Sequence, residues 1–203
     1  MKIICVGRNY VEHAKELKNE VPTEPIIFTK PDSSLITKNN PFFIPAISKD
    51  VHYEVELVIK VCTLGKNIQA KYAHKYYEEI GIGIDFTARD IQSKLKSKGL
   101  PWDLAKGFDG AAPVSDFILL ADLGTKNGIN FGLTKNGEKV QQGNTQNMIF
   151  SFDKLIEFIS KYFTLKIGDL IFTGTPAGVG PVAIADKLEA FIEDKKMLTC
   201  DVR

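Results

Sequence analysis

A chain of 203 residues with 44% hydrophobic content has ample apolar mass for one packed domain over residues 1–203. Lys+Arg and Asp+Glu stand at 26 and 25, so a formal net charge of +1 gives no electrostatic footprint for nucleic acid or an anionic membrane, and the expected partner is a small molecule. Cys5, Cys62 and Cys200 are too scattered for a disulfide framework, the first residues are too short an apolar run for a signal peptide, and no stretch approaches membrane-spanning length. These features lead us to expect a cytoplasmic protein with reduced thiols.

In chain order, Lys2 to Val6 reads as a short strand ending in Gly7-Arg8-Asn9-Tyr10. A helical turn follows over Val11 to Leu17, where His13 and Glu16 stand three residues apart and share one face. A carboxylate beside an imidazole raises its basicity and suits a general base, although such a pair on a surface helix also occurs as a plain solvated contact. The segment from about Val11 to Val21 is polar and is followed by prolines, and we expect it to be mobile until a ligand orders it. Pro22, Pro25, Pro31, Pro41 and Pro45 then leave room only for short extended pieces such as Ile26-Ile27-Phe28.

Val51 to Val61 reads as a strand in which Glu54 and Glu56 point to the same side. Two carboxylates on one face of an apolar strand repel unless a cation or proton intervenes. The pattern fits either a half-solvated edge or an oxygen-only site for a hard divalent ion. A helix is expected from about Gln69 to Tyr77, then a strand Ile80-Gly81-Ile82-Gly83-Ile84 whose glycines admit a close neighbour and whose end delivers Asp85. Asp85 is either a turn residue or the third carboxylate. Thr87 is expected to cap a helix carrying Arg89, Gln92 and Lys96 as far as Gly99.

Lys106 falls in a loop rich in Gly and Ala, where a lysine is either solvated or a binding group. Asn136-Gly137 suits a type I′ hairpin between Phe131 and Gln142, and Ser151 caps a helix whose apolar residues follow helical spacing. Leu170-Ile171-Phe172 reads as a strand running into Thr173-Gly174-Thr175-Pro176, which matches no nucleotide-binding glycine pattern. Leu188 to Val202 reads as a closing hairpin across Asp194-Lys195-Lys196.

Several of these pieces, in this order, resemble the fumarylacetoacetate hydrolase family: Cys5-Val6-Gly7-Arg8-Asn9-Tyr10, His52-Tyr53-Glu54-Val55-Glu56-Leu57, Asp85-Phe86-Thr87-Ala88-Arg89-Asp90 and Thr173-Gly174-Thr175-Pro176. Gly99-Leu100-Pro101-Trp102 with Leu104-Ala105-Lys106 resembles its small single-domain branch, which contains acylpyruvase and also decarboxylates oxaloacetate. The resemblance implies an α+β fold whose mixed, strongly curved sheet rolls into a sandwich or barrel with short helices around it, and a homodimer. It implies Mg²⁺ or Mn²⁺ on Glu54, Glu56 and Asp85, with His13, Glu16 and Lys106 catalytic and Arg8, Arg89, Gln92 and Thr175 around the substrate. The implied chemistry is C–C bond cleavage of small 2-oxo acids through a pyruvate enolate stabilised by the metal. An isomerase of the 2-hydroxyhepta-2,4-diene-1,7-dioate type and a non-catalytic keto-acid-binding dimer are the alternatives. Ala177 and Ala185-Asp186 depart from the family pattern and bear on substrate detail.

Overall fold

The computed structural model describes residues 1–17, 20–124 and 127–203. At its centre is the strand Val55–Val61, in which every residue except Lys60 is buried. Strands covered on both faces need an almost continuous apolar run, and this one has it apart from Glu56 and the half-buried Lys60. Its antiparallel neighbours are Leu170–Phe172 on one side and Tyr77–Ile84 on the other. Beyond Leu170–Phe172 the sheet continues through Ile3–Gly7, paired in parallel, to the edge strand Ile26–Lys30, and beyond Tyr77–Ile84 it ends at Ile118–Leu119.

Four strands, Glu138–Asn144, Asn130–Lys135, Lys187–Ile192 and Lys195–Asp201, form a second, antiparallel sheet. Val51–Tyr53 lies between Gly180–Pro181 and Thr87–Ala88 in a third, and Leu35–Ile36 pairs with Ala112–Pro113 in a fourth. The architecture is mixed α+β, as expected, but the ladders among the described residues close no barrel. No described helix is long and apolar enough to cross a membrane. All three cysteines are free, with Cys5 and Cys200 buried and Cys62 half-buried.

Local expectations hold where local chemistry decides. Asn136 and Gly137 take φ of 55° and 85° in the hairpin turn, as a type I′ turn demands. The Ser151 hydroxyl accepts from the Lys154 amide at the start of the helix Phe152–Tyr162. They fail where a distant partner decides. The helix expected from Gln69 to Tyr77 is only the turn Ala70–Ala73, because Tyr77 is recruited opposite Val61 into the central ladder. Thr87 does not cap: it pairs with His52, and the helix runs Arg89–Ser97. The closing hairpin turns at Glu193-Asp194, one residue earlier than expected, and Glu193 takes the left-handed φ of 49°. The expected strand Val51 to Val61 is broken at Glu54, where the chain passes from the three-stranded to the six-stranded sheet. Lys18 and Asn19, within the expected mobile segment, lie outside the described residues; before them, Val11–Glu16 is helical.

Two glycines allow the close approaches that the site needs. A Cβ on Gly83 would lie 2.7 Å from the Phe172 ring and 2.9 Å from the Pro113 carbonyl oxygen. Gly174 has φ of +101°, and a Cβ there would lie 2.5 Å from the Cβ of Asn9. Asn9 is buried and donates from Nδ2 to the carbonyls of Thr173 and Phe150, at 2.8 and 3.0 Å, tying the first strand's end to the Thr173-Gly174 turn. Gly174→Ala should therefore cost about 2 kcal/mol or more of stability. Thermal unfolding would show a lowered Tm, and an unchanged Tm would contradict this packing.

Candidate functional site

The register of the central ladder assembles the carboxylates. Val55 pairs with Ile84, so Asp85, the next residue, lies beside Glu54 and donates its amide to the Glu54 carbonyl at 2.8 Å. Glu56 lies one pleat further on, opposite Gly83. The Val55 amide, released from the ladder by the break at Glu54, is taken by Gln141 Oε1 at 2.8 Å. Glu54, Glu56 and Asp85 are all buried, and one oxygen from each lies within 4.8 Å of the others. Three ionised carboxylates so close and so dry require positive charge beside them.

Part of that charge comes from three side chains. Lys106 Nζ bridges Glu54 Oε2 at 2.8 Å and Asp85 Oδ2 at 2.6 Å and also donates to the Thr87 hydroxyl at 2.6 Å. It ends the short helix Asp103–Lys106 and is buried, not the loop residue expected. Arg89 donates to Glu54 Oε1 and, through Nη1, to Gln92 Oε1 at 2.6 Å. Lys30, buried at the end of the edge strand, contacts Asp85 Oδ1 at 2.7 Å as an ion pair without hydrogen-bond alignment. It donates to the carbonyls of Phe86 at 3.3 Å and Ala111 at 3.1 Å and to that of Lys106.

The compensation is uneven. Burial opposes ionisation of Glu54, but Lys106 and Arg89 outweigh it and hold the carboxyl well below its ordinary range. Glu56 has no cationic partner among the described residues and accepts the Gly174 amide at 2.7 Å. Burial first, then Asp85 and Glu54, push its carboxyl well up. Burial alone would lower Lys106, yet Asp85 and Glu54 raise it above the usual lysine range and keep it cationic. An oxygen-only donor set this compact, with one carboxylate still short of a cation, fits a hard divalent ion such as Mg²⁺ or Mn²⁺.

His13 Nδ1 lies 3.3 Å from Glu16 Oε2, and Glu16 is itself held by the Gly178 amide, which donates to Oε1 at 3.0 Å. Burial first lowers the His13 imidazole below its ordinary range, with Glu54 and Glu16 opposing. Of the ten residues singled out in the sequence, all but Glu16 line a single cavity that also contains the carboxylates. Arg8 enters it with φ of 59°. The Thr175 hydroxyl is oriented by Gln141 Nε2 at 2.9 Å. Sequence reasoning missed Lys30, Gln141 as a brace, and Trp102 and Lys96 in the lining. For Lys30 the only signal is its place at the end of an apolar strand, just before Pro31.

The chain belongs to the family described as fumarylacetoacetate (FAA) hydrolase C-terminal, whose model matches residues 2–203. A mitochondrial oxaloacetate decarboxylase of Dictyostelium discoideum is 47% identical over 182 residues, covering 89% of this chain and 84% of its own. A mitochondrial oxaloacetate tautomerase of Mus musculus is 42% identical over 191 residues, covering 94% and 86%. The crystal structure of a fumarylpyruvate hydrolase from Pseudomonas aeruginosa in complex with Mn²⁺ and pyruvate superimposes with a TM-score of 0.93 at 30% identity, covering 100% of this chain and 89% of that one.

The unequal surroundings of the two glutamates predict opposite responses to the same substitution. In EDTA, Glu56→Gln removes a buried carboxyl that has no cation in contact with it and should raise Tm. Glu54→Gln leaves Arg89 without its carboxylate and Lys106 with Asp85 alone, and should cost about 3 kcal/mol. Differential scanning calorimetry of both variants checks this, and shifts of the same sign would contradict it.

Proposed function

We propose that this chain is a divalent-metal-dependent enzyme that cleaves a C–C bond in short 2-oxo acids through a pyruvate enolate, by acylpyruvate hydrolysis, oxaloacetate decarboxylation or both. The observation that carries the reading is one cavity holding three buried carboxylates together with Lys106 and His13, which is braced by Glu16. Glu54, Glu56 and Asp85 would hold Mg²⁺ or Mn²⁺, and the ion would supply a Lewis acid that stabilises negative charge on a 2-oxo oxygen. On this reading residues 1–203 act as one catalytic domain, whose sheets roll into a sandwich, and as a homodimer in the cytoplasm with a small 2-oxo acid as partner. The family match over residues 2–203 supports the domain assignment.

The chain's own groups divide the work. An ionised carboxylate only accepts, so the contact with Glu16 places the His13 proton on Nδ1 and leaves Nε2 as the basic nitrogen. Burial keeps the ring neutral and therefore able to take a proton at neutral pH. For a 2,4-dioxo acid, water gives a proton to Nε2 and attacks the acyl carbonyl. Lys106, kept cationic by its carboxylates, supports the oxyanion, and the enolate of pyruvate leaves. Oxaloacetate reaches the same enolate by losing its distal carboxylate as CO₂, with no water nucleophile. Arg8, Arg89, Gln92 and Thr175 surround the acid, with Arg89 fixed by Glu54 and Thr175 by Gln141. The tautomerase relative favours a second reading, in which His13 exchanges the C3 proton of oxaloacetate without cleavage.

Purified protein assayed with Mg²⁺ against acetylpyruvate, oxaloacetate and a hydroxyheptadienedioate tests the reading, and turnover of none sinks it. Glu16→Gln separates the reactions. Acetylpyruvate hydrolysis should fall by about 10² to 10⁴-fold, and oxaloacetate decarboxylation far less. Equal losses would remove the general-base role. In the wild type, kcat/KM for acetylpyruvate should decline on the acid side with an apparent pKa below 6.5, because protonation of His13 removes the base and burial lowers its pKa from that value. A decline already centred above 6.5 would contradict the assignment.

A further inference from the structure

The strands Val51–Tyr53 and Thr87–Ala88 pair antiparallel, with His52 opposite Thr87 and Val51 opposite Ala88. One step further along, Arg89 donates its amide to the Asp50 carbonyl at 2.8 Å, so the Arg89 side chain starts opposite Asp50. Its far end donates from Nη2 to Glu54 Oε1 and from Nη1 to Gln92 Oε1, the latter at 2.6 Å. A strand alternates its side chains, which puts residues 50, 52 and 54 on one side. The 2.9 Å contact between Asp50 Oδ1 and His52 Nε2 agrees. The stem of Arg89, which carries Nε, therefore passes His52 on its way from Asp50 to Glu54. Burial first, and then the Arg89 charge, lower the His52 imidazole below its ordinary range, as expected of neighbours.

Two buried atoms are left over at this crossing. Arg89 Nε and His52 Nδ1 have no hydrogen-bond partner among the described residues. They are complementary. A carboxylate only accepts, so Asp50 places the imidazole proton on Nε2 and leaves a lone pair on Nδ1, while the Nε of a guanidinium always carries a hydrogen. Buried donors and acceptors left unmet are costly and rare, and a small turn of either side chain or one bridging water satisfies both.

We propose that His52, held by Asp50, is a positioning residue for Arg89: its Nδ1 accepts the Arg89 Nε–H, directly or across one water. The guanidinium is then fixed on all three nitrogens, by His52, Gln92 and Glu54, and only the remaining hydrogens on Nη1 and Nη2 are left for a ligand in the cavity. A group ordered before the substrate arrives lowers the entropy cost of binding. It serves bound substrate and transition state alike, so its loss should appear in KM rather than in kcat. This rests on the reading of Arg89 as one of the groups around a 2-oxo acid and deepens it.

Nitrogen NMR of the folded protein in Mg²⁺ buffer tests the contact. The spectrum is sparse, because Arg8, Arg89 and Arg203 are the arginines of the chain and His13, His52 and His74 its histidines. Arg89→Lys identifies the Arg89 Nε–H signal, and His52→Asn identifies the His52 ring nitrogens. In wild type, His52 should be the Nε2–H tautomer with Nδ1 accepting a hydrogen bond. The Arg89 Nε–H should exchange with solvent about tenfold or more slower than that of exposed Arg203. His52→Leu should lose that protection, and His52→Asn, whose side-chain oxygen falls near the place of Nδ1, should keep it. With oxaloacetate, His52→Leu should raise KM about fivefold with kcat within about twofold, and His52→Asn should restore KM.

The Nδ1–H tautomer in wild type, an Arg89 Nε–H that exchanges as fast as that of Arg203, or protection that survives in folded His52→Leu overturns the proposal. A fall in kcat as large as the rise in KM would mark a general structural role and overturn it as well. If His52→Leu does not fold, the wild-type tautomer and exchange rate decide. If no 2-oxo acid is turned over, the reading of the activity fails, and the NMR alone still decides the contact.

Discussion

The Lys106 ammonium bridging Glu54 and Asp85 is the contact on which the rest of the structure depends. Taking an ion pair out of water costs several kcal/mol per charge, and only close geometry and further hydrogen bonds recover it. The fold supplies these through Thr87 on the ammonium, Arg89 on Glu54, and Lys30 behind Asp85. Lys30 also donates to the carbonyls of Phe86, Lys106 and Ala111, so one buried cation joins the edge strand, the residue after Asp85 and the end of the Lys106 helix. Three carboxylates face three cations, but Glu54 and Asp85 each contact two of them and Glu56 none. Additional positive charge gains most beside Glu56, which is the physical argument for a divalent ion at this place.

The surrounding framework holds that charge cluster in register. The break at Glu54 lets the chain change sheets without losing a backbone partner, since Gln141 accepts the freed Val55 amide and braces Thr175 with its other end. Asn9 performs the same service for the Thr173-Gly174 turn, whose amide reaches Glu56. Such side-chain braces on irregular backbone let a site sit between sheets while the Val55 and Gly174 amides stay paired.

Much of the site is legible from the sequence because a strand's period of two is unforgiving. Glu54 and Glu56 had to share a face, and Asp85 had to leave a glycine-lightened strand at its end. The resemblance then turned an ambiguous pair of glutamates into a candidate metal set and drew in His13, Glu16 and Lys106. Tyr77 read as helix because its local spacing carries no trace of its partner Val61, sixteen positions back in the chain. Lys30 and the depth of Lys106 were hidden for a related reason. A lysine's burial depends on acceptors brought from Phe86, Ala111 and Asp85, and nothing adjacent to it in the chain announces them. Local spacing likewise makes Glu54 and Glu56 look equivalent, and only the folded partners separate them.

Three buried carboxylates and the cations around them set what the inner end of the cavity can hold. The most direct test is anomalous diffraction at the manganese edge from crystals equilibrated with Mn²⁺ and oxalate. The account predicts one strong peak about 2.2 Å from an oxygen of each of Glu54, Glu56 and Asp85. Saturating Mn²⁺ with no peak among these carboxylates, or a peak elsewhere in the chain while Lys106 still bridges Glu54 and Asp85, would contradict it.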